Sequence, residues 1–356
     1  MLFEFFIKKV LSSLDKKYYF LSNAFKKLYW RIKMIVVTGG AGFIGSAVIS
    51  RLNRAGIKDI IVVDSLKSTE KWKNLVGKQY SLYLDKSELL NYLSDLPVEQ
   101  KVDCIIHMGA CSSTTEKDAD YLMMNNYRYS ISLAEYAVKN KIRFIYASSA
   151  ATYGDGTEGF SDELNKIKLL KPLNMYGYSK QMMDEWVLHN NLQNQVVGIK
   201  FFNVFGPNEY HKGDMRSVIY KSYYQILAEG TIKLFKSYKD GYADGEQKRD
   251  FVYVKDCIEI IYQLVQNTQI NGIYNLGTGK ARTWKDLAIA VFKAMNREPN
   301  IEFVEMPEYL REKYQYYTQA DMHNLSETGI ELKSTNLEDA VKDYVQNYLM
   351  KEDAHL

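Results

Sequence analysis

Residues 38–45 read Thr38-Gly39-Gly40-Ala41-Gly42-Phe43-Ile44-Gly45, and this stretch decides the fold. It satisfies the pattern GxGxxG from Gly40 and the pattern GxxGxxG from Gly39, and both patterns end at Gly45. A short apolar run, Met34 to Thr38, precedes the glycines, and an amphipathic segment, Ser46 to Ala55, follows them. Glycines in this setting permit a tight turn and let the backbone approach a pyrophosphate, which meets the N–H groups of a helix N-terminus. The stretch therefore predicts a strand, a dinucleotide-binding turn and a helix, in that order.

A carboxylate downstream of the glycine turn, Asp64, bears on which dinucleotide binds. It closes the apolar run Ile60–Val63 and lies 19 residues after the last glycine of the turn. A carboxylate at this distance usually accepts a hydrogen bond from the ribose hydroxyl of NAD. Lys67, Lys71 and Lys86 follow and could neutralise the 2′-phosphate of NADP, although such lysines are also typical of a solvated face. The residues alone leave the choice between NAD and NADP open.

Strand-like and helix-like segments alternate downstream of the glycine turn. The compact apolar runs are Cys104–His107, Arg143–Ala147 and Val196–Phe201, and longer amphipathic segments cover 121–140 and 179–190. This alternation predicts an α/β fold, a Rossmann doubly wound parallel sheet covered on both faces by helices. After about Asn203 the pattern becomes irregular and loop-rich, which indicates a smaller C-terminal substrate-binding domain. We assign residues 34–202 plus 251–276 to the Rossmann domain and residues 203–250 plus 277–345 to the substrate-binding domain.

Composition narrows the class of protein. The chain has 356 residues, of which 46% are hydrophobic and 25% charged, as in ordinary globular proteins. No apolar run approaches the ~20 residues that span a bilayer. The three cysteines are too few and too widely spaced for a disulfide framework or a CxxC metal site, which fits a reducing cytoplasm. The five histidines show no ligand spacing, and we expect no bound metal.

Residues 1–33 differ from the rest of the chain in charge. They carry a net charge of +6 and leave −3 for residues 34–356, so the body gives no general case for a nucleic-acid partner. Their apolar residues recur at spacings of three and four, which predicts a basic amphipathic helix rather than a secretory signal. We expect this extension to be dispensable for folding and catalysis, with Met34 as the first functional residue. An upstream start codon is the favoured explanation, and a membrane-surface helix or an oligomer contact are the alternatives.

A second motif, Tyr176-Gly177-Tyr178-Ser179-Lys180, predicts acid–base chemistry. Tyr176 and Lys180 are four residues apart and would share one face of a helix. A free tyrosine has a pKa of about 10 and is a poor base at neutral pH. A neighbouring ammonium and a cationic nicotinamide ring both favour the phenolate, so the pair can exchange a proton with a sugar hydroxyl. Upstream, Ser149 ends a strand-like run and could hydrogen-bond the reacting oxygen.

These motifs in this order resemble the extended short-chain dehydrogenases/reductases. The strand-end motif is Ala147-Ser148-Ser149-Ala150-Ala151-Thr152-Tyr153-Gly154, and two later pieces that extend the likeness are Arg249-Asp250-Phe251-Val252-Tyr253-Val254-Lys255-Asp256 and Asn275-Leu276-Gly277-Thr278-Gly279. Four further stretches narrow the resemblance to the ADP-L-glycero-D-manno-heptose 6-epimerases; they cover residues 107–116, 172–180, 202–213 and 314–321. The pieces Gly109-Ala110-Cys111-Ser112-Ser113-Thr114-Thr115-Glu116 and His211-Lys212-Gly213 discriminate most.

The resemblance implies an isomerase that oxidises C6 of an ADP-heptose, re-presents the ketone and reduces it again, supplying a precursor of the lipopolysaccharide inner core. It implies one retained NADP per subunit, a cytoplasmic location and a homo-oligomer, commonly a pentamer. By position, the cofactor residues would be Gly39, Gly42, Phe43, Ile44, Gly45, Asp64, Ser65, Lys71, Lys86, Met108, Gly109, Ala110, Cys111, Ser112, Asn125, Lys180 and Val204. The substrate residues would be Asn203, Asp214, Lys221, Phe235, Lys236, Ser237, Tyr238, Arg249 and Tyr314.

The same resemblance makes Lys212 a second proton acceptor beside Tyr176, Lys180 and Ser149. A ketone that must offer its other face to the same hydride is poorly served by one base, and a lysine serves as a base only when desolvation or a cationic neighbour lowers its pKa. Without the resemblance, Lys212 would be interpreted as a phosphate-binding lysine. Three departures from the family pattern, Ser65, Asp214 and Lys221, bear on the cofactor preference and the substrate contacts.

Two other functions compete. A UDP-hexose 4-epimerase would share the glycine turn, Ser149, Tyr176 and Lys180 but should lack the Cys-Ser-Ser-Thr-Thr-Glu and His-Lys-Gly pieces. A non-catalytic Rossmann sensor would tolerate loss of the tyrosine and the lysine, and both are present. A 4,6-dehydratase needs an Asp-Glu pair where this chain has Ala150-Ala151, which argues against elimination chemistry.

Overall fold

A computed structural model describes residues 34–97, 100–311, 314–352 and 354–356. Within residues 34–356 the chain forms one compact unit. The predicted amphipathic helix of residues 1–33 lies outside the described residues.

Twelve strands are described, and seven of them form one parallel sheet. In chain order they are β1 Ile35–Thr38, β2 Ile60–Asp64, β3 Leu82–Asp85, β4 Cys104–His107, β5 Arg143–Ser149, β6 Val196–Phe201, β7 Asn203–Phe205, β8 Ile232–Phe235, β9 Lys248–Tyr253, β10 Gly272–Leu276, β11 Ala281–Thr283 and β12 Ile301–Val304. The large sheet has the order β3-β2-β1-β4-β5-β6-β10, with every pair parallel. All residues of β1, β2 and β4 are buried, as expected for strands covered on both faces. The predicted fold class is confirmed.

The strand order places a crevice at the carboxyl ends of β1 and β4. The chain builds β1, β2 and β3 outward in one direction and then returns to place β4 on the other side of β1. The connections after β1 and β4 therefore leave in opposite directions, which is the position where open α/β sheets bind ligands. The backbone N–H of Met108, just after β4, donates to the carbonyl of Thr38 at 3.0 Å and holds the two strand ends together.

Helices cover the sheet and the C-terminal part. The longer ones are Phe43–Arg54, Leu89–Asp95, Tyr129–Lys139, Met175–His189, Val218–Glu229, Val254–Gln266, Trp284–Ala294 and Leu337–Tyr344. One-turn helices are Ala119–Leu122, Glu308–Arg311 and His323–Ser326, and short 3-10 turns are Glu70–Leu75, Ala150–Tyr153, Ile167–Leu169 and Tyr210–Met215. π-helical turns occupy Met123–Arg128 and Val345–Leu349. Among the residues described, no helix is both long and apolar enough to cross a bilayer.

The helix expected over 179–190 begins four residues earlier than its apolar pattern indicated. Asn174 accepts a hydrogen bond from the N–H of Gly177 at 2.8 Å, so its side chain caps the N-terminus of a helix that starts at Met175. The segment expected as one helix over 121–140 is instead interrupted by the π-helical turn Met123–Arg128. Both differences bear on the site, because they set the directions in which its side chains point.

The region after Asn203 is more regular than its sequence pattern indicated. It contains a three-stranded sheet, β11-β9-β7, and a two-stranded sheet, β12-β8. The expectation of an irregular, loop-rich region was therefore too coarse. These strands have three to six residues, which is too short for apolar periodicity to distinguish them from loops. β10 leaves this region and joins β6 at the edge of the large sheet.

Candidate active site

The glycine turn leaves room for a phosphate because of two close backbone contacts. Gly39 has a φ of +63°, and a Cβ built there would lie 2.6 Å from the backbone nitrogen of Gly109. A Cβ on Gly45 would lie 2.1 Å from the carbonyl oxygen of Gly39. Gly42 precedes the helix Phe43–Arg54 and caps it with no side chain, so the first N–H groups of the helix face the crevice. The turn therefore fits a dinucleotide pyrophosphate.

Asp64, at the end of β2, connects the glycine turn to the residues that follow β2. Its carboxylate accepts hydrogen bonds from the N–H of Ala41 at 3.0 Å and of Ser65 at 2.7 Å, and it pairs with Lys71 at 2.5 Å. Asp64 is 8% exposed, so little of its charge reaches solvent. The carboxylate that favoured NAD and the lysine that favoured NADP are thus one ion pair.

A cavity of about 170 Å³ adjoins this pair. It brings together the predicted cofactor residues at the end of β2 with those that follow β4: Asp64, Ser65, Lys71, Lys86, Gly109, Ala110, Cys111 and Asn125. Lys86 donates to the side-chain oxygen of Asn125 at 2.5 Å. Thr69 and Tyr121 also line this cavity and were not predicted. A polar, cationic space at this end of the turn suits the ribose and its substituents.

Asn126 joins the loop after β4 to the helix Met175–His189, and it was not predicted from the sequence. Its side-chain oxygen accepts from the N–H of Cys111 at 2.8 Å, and its amide donates to the carbonyl of Cys111 at 2.9 Å. The amide also approaches the hydroxyl of Ser179 at 3.1 Å. Asn126 is fully buried within the π-helical turn, a distortion that often marks functional sites. Nothing in the local sequence distinguishes it from its neighbour Asn125.

The side chain of Lys180 reaches the end of β5, where its ammonium makes a hydrogen bond. The Nζ atom donates to the carbonyl of Ala147 at 2.8 Å, and the residue is 3% exposed. Burial disfavours the charged form and lowers the pKa of Lys180 to about 8, while the carboxylate of Asp184 acts in the opposite sense. Lys180 therefore lies close to the point where it changes charge at physiological pH.

Tyr176 lies on the first turn of the same helix, close to Ser149. Burial raises the pKa of Tyr176 above its usual value, and a hydrogen bond with the Ser149 hydroxyl lowers it. Desolvation is the larger of these two effects on the pKa of Tyr176. The hydroxyl of Ser149 also accepts from the N–H of Ala151 at 3.1 Å, which fixes its orientation.

Lys212 enters the same space from the 3-10 turn Tyr210–Met215. Its Nζ atom lies 5.4 Å from the ring centroid of Phe43, on the glycine turn. Burial lowers the pKa of Lys212, and the charge of Glu209 raises it. Glu209 in turn accepts from the N–H and hydroxyl of Ser217 at 2.5 and 2.6 Å and so fixes the loop that carries Lys212.

One cavity of about 760 Å³ connects these groups. Its walls include most of the predicted residues: Gly39, Gly42, Phe43, Ile44, Gly45, Asp64, Lys71, Met108, Gly109, Ala110, Cys111, Ser112, Ser149, Tyr176, Lys180, Asn203, Val204 and Lys212. His211, Met215 and Phe202 are among the further wall residues that were not predicted. The three candidate proton-transfer groups, Tyr176, Lys180 and Lys212, thus face one space that also contains the glycine turn.

The remaining predicted substrate residues lie outside the walls of this cavity. Lys221 is exposed and donates to the carbonyl of Asp214 at 2.6 Å, so these two departures from the family pattern contact each other. Lys236 pairs with Glu305 at 2.7 Å, and the hydroxyl of Tyr238 also bonds Glu305. The N–H of Ser237 donates to Asp244 at 2.7 Å, which fixes the turn after β8.

Arg249 stands apart from this polar group in an aromatic cage. It is 7% exposed, and its guanidinium lies 5.6 Å from the ring centroid of Trp284 and 5.4 Å from that of Tyr314. Phe235 packs edge-on against Tyr314 at 6.4 Å. Arg249 lies on β9, which pairs with β7 so that Phe251 stands opposite Asn203 on the cavity wall. A buried guanidinium among aromatic rings suits an anionic, partly planar ligand such as a nucleotide.

Comparisons of sequence and of structure with known proteins both find similarity to nucleotide-sugar epimerases. Residues 35–277 match the NAD dependent epimerase/dehydratase family. The ADP-L-glycero-D-manno-heptose-6-epimerase of Nitratidesulfovibrio vulgaris strain Hildenborough is 56% identical over 325 residues, which cover 91% of this chain and 100% of that protein. The protein of the same name from Fusobacterium nucleatum is 48% identical, with coverages of 91% and 100%. The crystal structure of the Helicobacter pylori ADP-L-glycero-D-manno-heptose-6-epimerase is similar with a TM-score of 0.74, at 28% identity, covering 88% of this chain and 96% of that one.

Proposed function

The chain belongs to the NAD dependent epimerase/dehydratase family, and on that premise we propose that it interconverts ADP-D-glycero-β-D-manno-heptose and ADP-L-glycero-β-D-manno-heptose. The observation that carries the substrate is the 56% identity to an ADP-L-glycero-D-manno-heptose-6-epimerase over that protein's full length. The product would supply the inner core of lipopolysaccharide.

The cavity geometry supports inversion at one carbon. A nicotinamide cofactor bound in the glycine turn supplies a hydride acceptor and, after reorientation of the ketone, a hydride donor. Tyr176 accepts the proton of the C6 hydroxyl, with Ser149 hydrogen-bonded to the reacting oxygen. Lys180 orients the cofactor ribose and contributes positive charge. Lys212 serves the opposite face of the ketone from its own loop, since one base cannot meet both orientations of the sugar.

We also propose that the cofactor is NADP and that it is retained. The support is the ion pair of Lys71 with Asp64, which compensates the negative charge beside the ribose, and the ammonium of Lys86 in the same small cavity. Residues 34–202 plus 251–276 would bind this cofactor, and residues 203–250 plus 277–345 would bind the ADP-sugar. Arg249 would meet the anionic part of the nucleotide.

A homo-oligomer, in the form of a pentamer, and a cytoplasmic location complete the proposal. The oligomer rests on the family resemblance, and the location rests on the scarcity of cysteines.

The experiment is a direct turnover assay with both candidate substrates. Purified protein is incubated separately with ADP-D-glycero-β-D-manno-heptose and with UDP-glucose, and the sugars are analysed by chromatography and NMR. We expect the C6 epimer from the first and no C4 epimer from the second. Epimerisation of UDP-glucose alone would replace the proposal with a 4-epimerase function, and cofactor binding without turnover of either sugar would support the sensor.

A further inference from the structure

A fully buried ion pair joins the helix Met175–His189 to β6. Asp184 and Lys200 approach to 2.6 Å, and both side chains are 0% exposed. A buried pair is expensive to desolvate, and it persists only where further hydrogen bonds satisfy it. The proposed reaction chemistry uses neither residue.

Every polar atom of this pair has a partner at the end of β5. The carboxylate of Asp184 accepts from the hydroxyl of Tyr146 at 2.9 Å and from that of Ser148 at 2.7 Å. The ammonium of Lys200 donates to the hydroxyl of Thr152 at 2.8 Å. These three partners flank Ala147 and Ser149, the residues that contact Lys180 and Tyr176. The pair therefore fixes β6, the catalytic helix and the strand end to one another.

Asp184 follows Lys180 by four residues, so the two share one face of the helix Met175–His189. The Asp184 carboxylate favours the ammonium form of Lys180, against the desolvation that lowers its pKa to about 8. Lys200, from β6, opposes Asp184 because its own charge is of the other sign. The balance at Lys180 thus depends on both members of the pair.

The other titratable groups near Lys180 come from three further elements. His107, on β4, is fully buried, and desolvation together with the charge of Lys180 lowers its pKa to about 3, so it is neutral. Cys111, in the loop after β4, lies near both Tyr176 and Lys180. Tyr146, on β5, has a pKa raised well above its usual range by burial and by Asp184, so it stays protonated. Among these groups, Asp184 is the carboxylate, and it is paired with Lys200 at 2.6 Å.

We propose that Asp184 is a positioning residue that favours the ammonium form of Lys180 beside Ala147, and that Lys200 holds Asp184 in place and partly offsets its charge. This role rests on the proposed function, because it matters only if Lys180 must be charged to support Tyr176. The pair acts through Lys180 and touches neither substrate nor cofactor. It explains why charged groups are retained in a core that well-packed apolar side chains would fill at similar stability.

The test compares Asp184→Asn with Lys200→Met. If Lys180 must be an ammonium, turnover falls as pH rises through its pKa. Asp184→Asn removes the favourable charge and should move this alkaline limb of kcat to lower pH, by roughly one unit. Lys200→Met leaves the carboxylate unopposed and should move the limb to higher pH. A purely structural role predicts that both variants lose stability and leave the limb where it is.

Two additions keep the test decisive. Should either single variant fail to fold, the double variant Asp184→Asn/Lys200→Met removes both charges of the pair. Its limb should still move to lower pH, because the Asp184 charge that favours the Lys180 ammonium is lost. Lys255→Met, which breaks the remote pair with Asp343, is the matched control and should leave the limb unchanged. Coincident limbs in all variants, or shifts of the two single variants in the same direction, overturn the proposal.

The pH dependence of NADPH binding, followed by fluorescence, provides a second readout that needs no sugar substrate. The alkaline limb of binding should move to lower pH in Asp184→Asn and to higher pH in Lys200→Met, since Lys180 would contact the cofactor ribose. Wild-type protein that binds NADPH but turns over no ADP-heptose refutes the proposed substrate, while the binding limbs still decide the role of the pair. If the wild-type protein turns over ADP-heptose but the limbs of the variants do not shift, the proposed role of the Asp184–Lys200 pair is refuted and the proposed function stands.

Discussion

Lys71 Nζ lies 2.5 Å from Oδ1 of Asp64, the residue that ends β2 beside the glycine turn. The ion pair is largely buried, with side-chain exposures of 18% for Lys71 and 8% for Asp64. An unpaired carboxylate here would repel a 2′-phosphate, whereas Lys71 compensates the negative charge of Asp64 and places an ammonium beside the ribose site. The pair therefore makes the cofactor preference an electrostatic question that a single substitution can answer.

We expect NADP(H), rather than NAD(H), to be released from the purified protein on denaturation. An epimerase regenerates its cofactor in each turnover and has no need to exchange it, so the dinucleotide should survive dialysis. Mass spectrometry of the released nucleotide makes the measurement. Recovery of NAD alone would mean that Asp64 outweighs Lys71 and Lys86.

Lys71→Met should weaken NADP(H) binding by about tenfold or more, since it removes a charged partner of the phosphate. The same substitution should weaken NAD(H) binding far less. Lys73→Met is the control, because Lys73 is exposed and pairs with Glu70 on the same short turn. Equal losses for the two dinucleotides would place the 2′-phosphate elsewhere.

Tyr176→Phe should reduce epimerisation by ~10²–10⁴-fold, the usual contribution of a general acid–base group, and leave the cofactor bound. Tyr178→Phe serves as the control, because that ring is 44% exposed two residues along the same helix. Turnover rates and the bound cofactor are measured together. A Tyr176→Phe protein that retains more than about a third of the wild-type rate contradicts the assignment.

Lys212→Met should suppress epimerisation but retain part of the redox exchange between bound cofactor and a substrate-like aldehyde. The reason is that Tyr176 still serves one face of the substrate when the other base is lost. Lys233→Met, an exposed lysine paired with Glu229, is the control. Loss of both activities in equal measure with unaltered binding argues against separate roles, and loss of substrate affinity alone makes Lys212 a phosphate-binding residue.

Protein consisting of residues 34–356 should fold and retain full activity. The first strand begins at Ile35, and the backbone N–H of Met34 is already bonded to the side chain of Asp103 at 3.1 Å. Activity, assembly state and liposome flotation of the full chain are compared with the shorter protein. Flotation of the full chain alone supports a membrane-surface role for residues 1–33, whereas an insoluble or inactive shorter protein contradicts the prediction.

Much of the site could be predicted because its determinants are local. The glycine turn needs only a strand, the spacing of its glycines and a helix, and each is a property of a few consecutive residues. Tyr176 and Lys180 face one cavity because four residues are about one helical turn. The fold class followed in the same way, since the runs that became β1, β2 and β4 are apolar up to their last residue, as is typical of buried parallel strands.

The sequence by itself determined the parallel sheet, the place of the dinucleotide turn and the helical pairing of Tyr176 with Lys180. Only the tertiary structure shows that Lys71 pairs with Asp64, that Asn126 hydrogen-bonds to the backbone of Cys111, and that Lys200 is buried against Asp184. Periodicity reports which residues share a face of one element, whereas these contacts join different elements. The shifted pKa values of Tyr176, Lys180 and Lys212 belong to the same class, because desolvation depends on what the rest of the chain packs around each side chain.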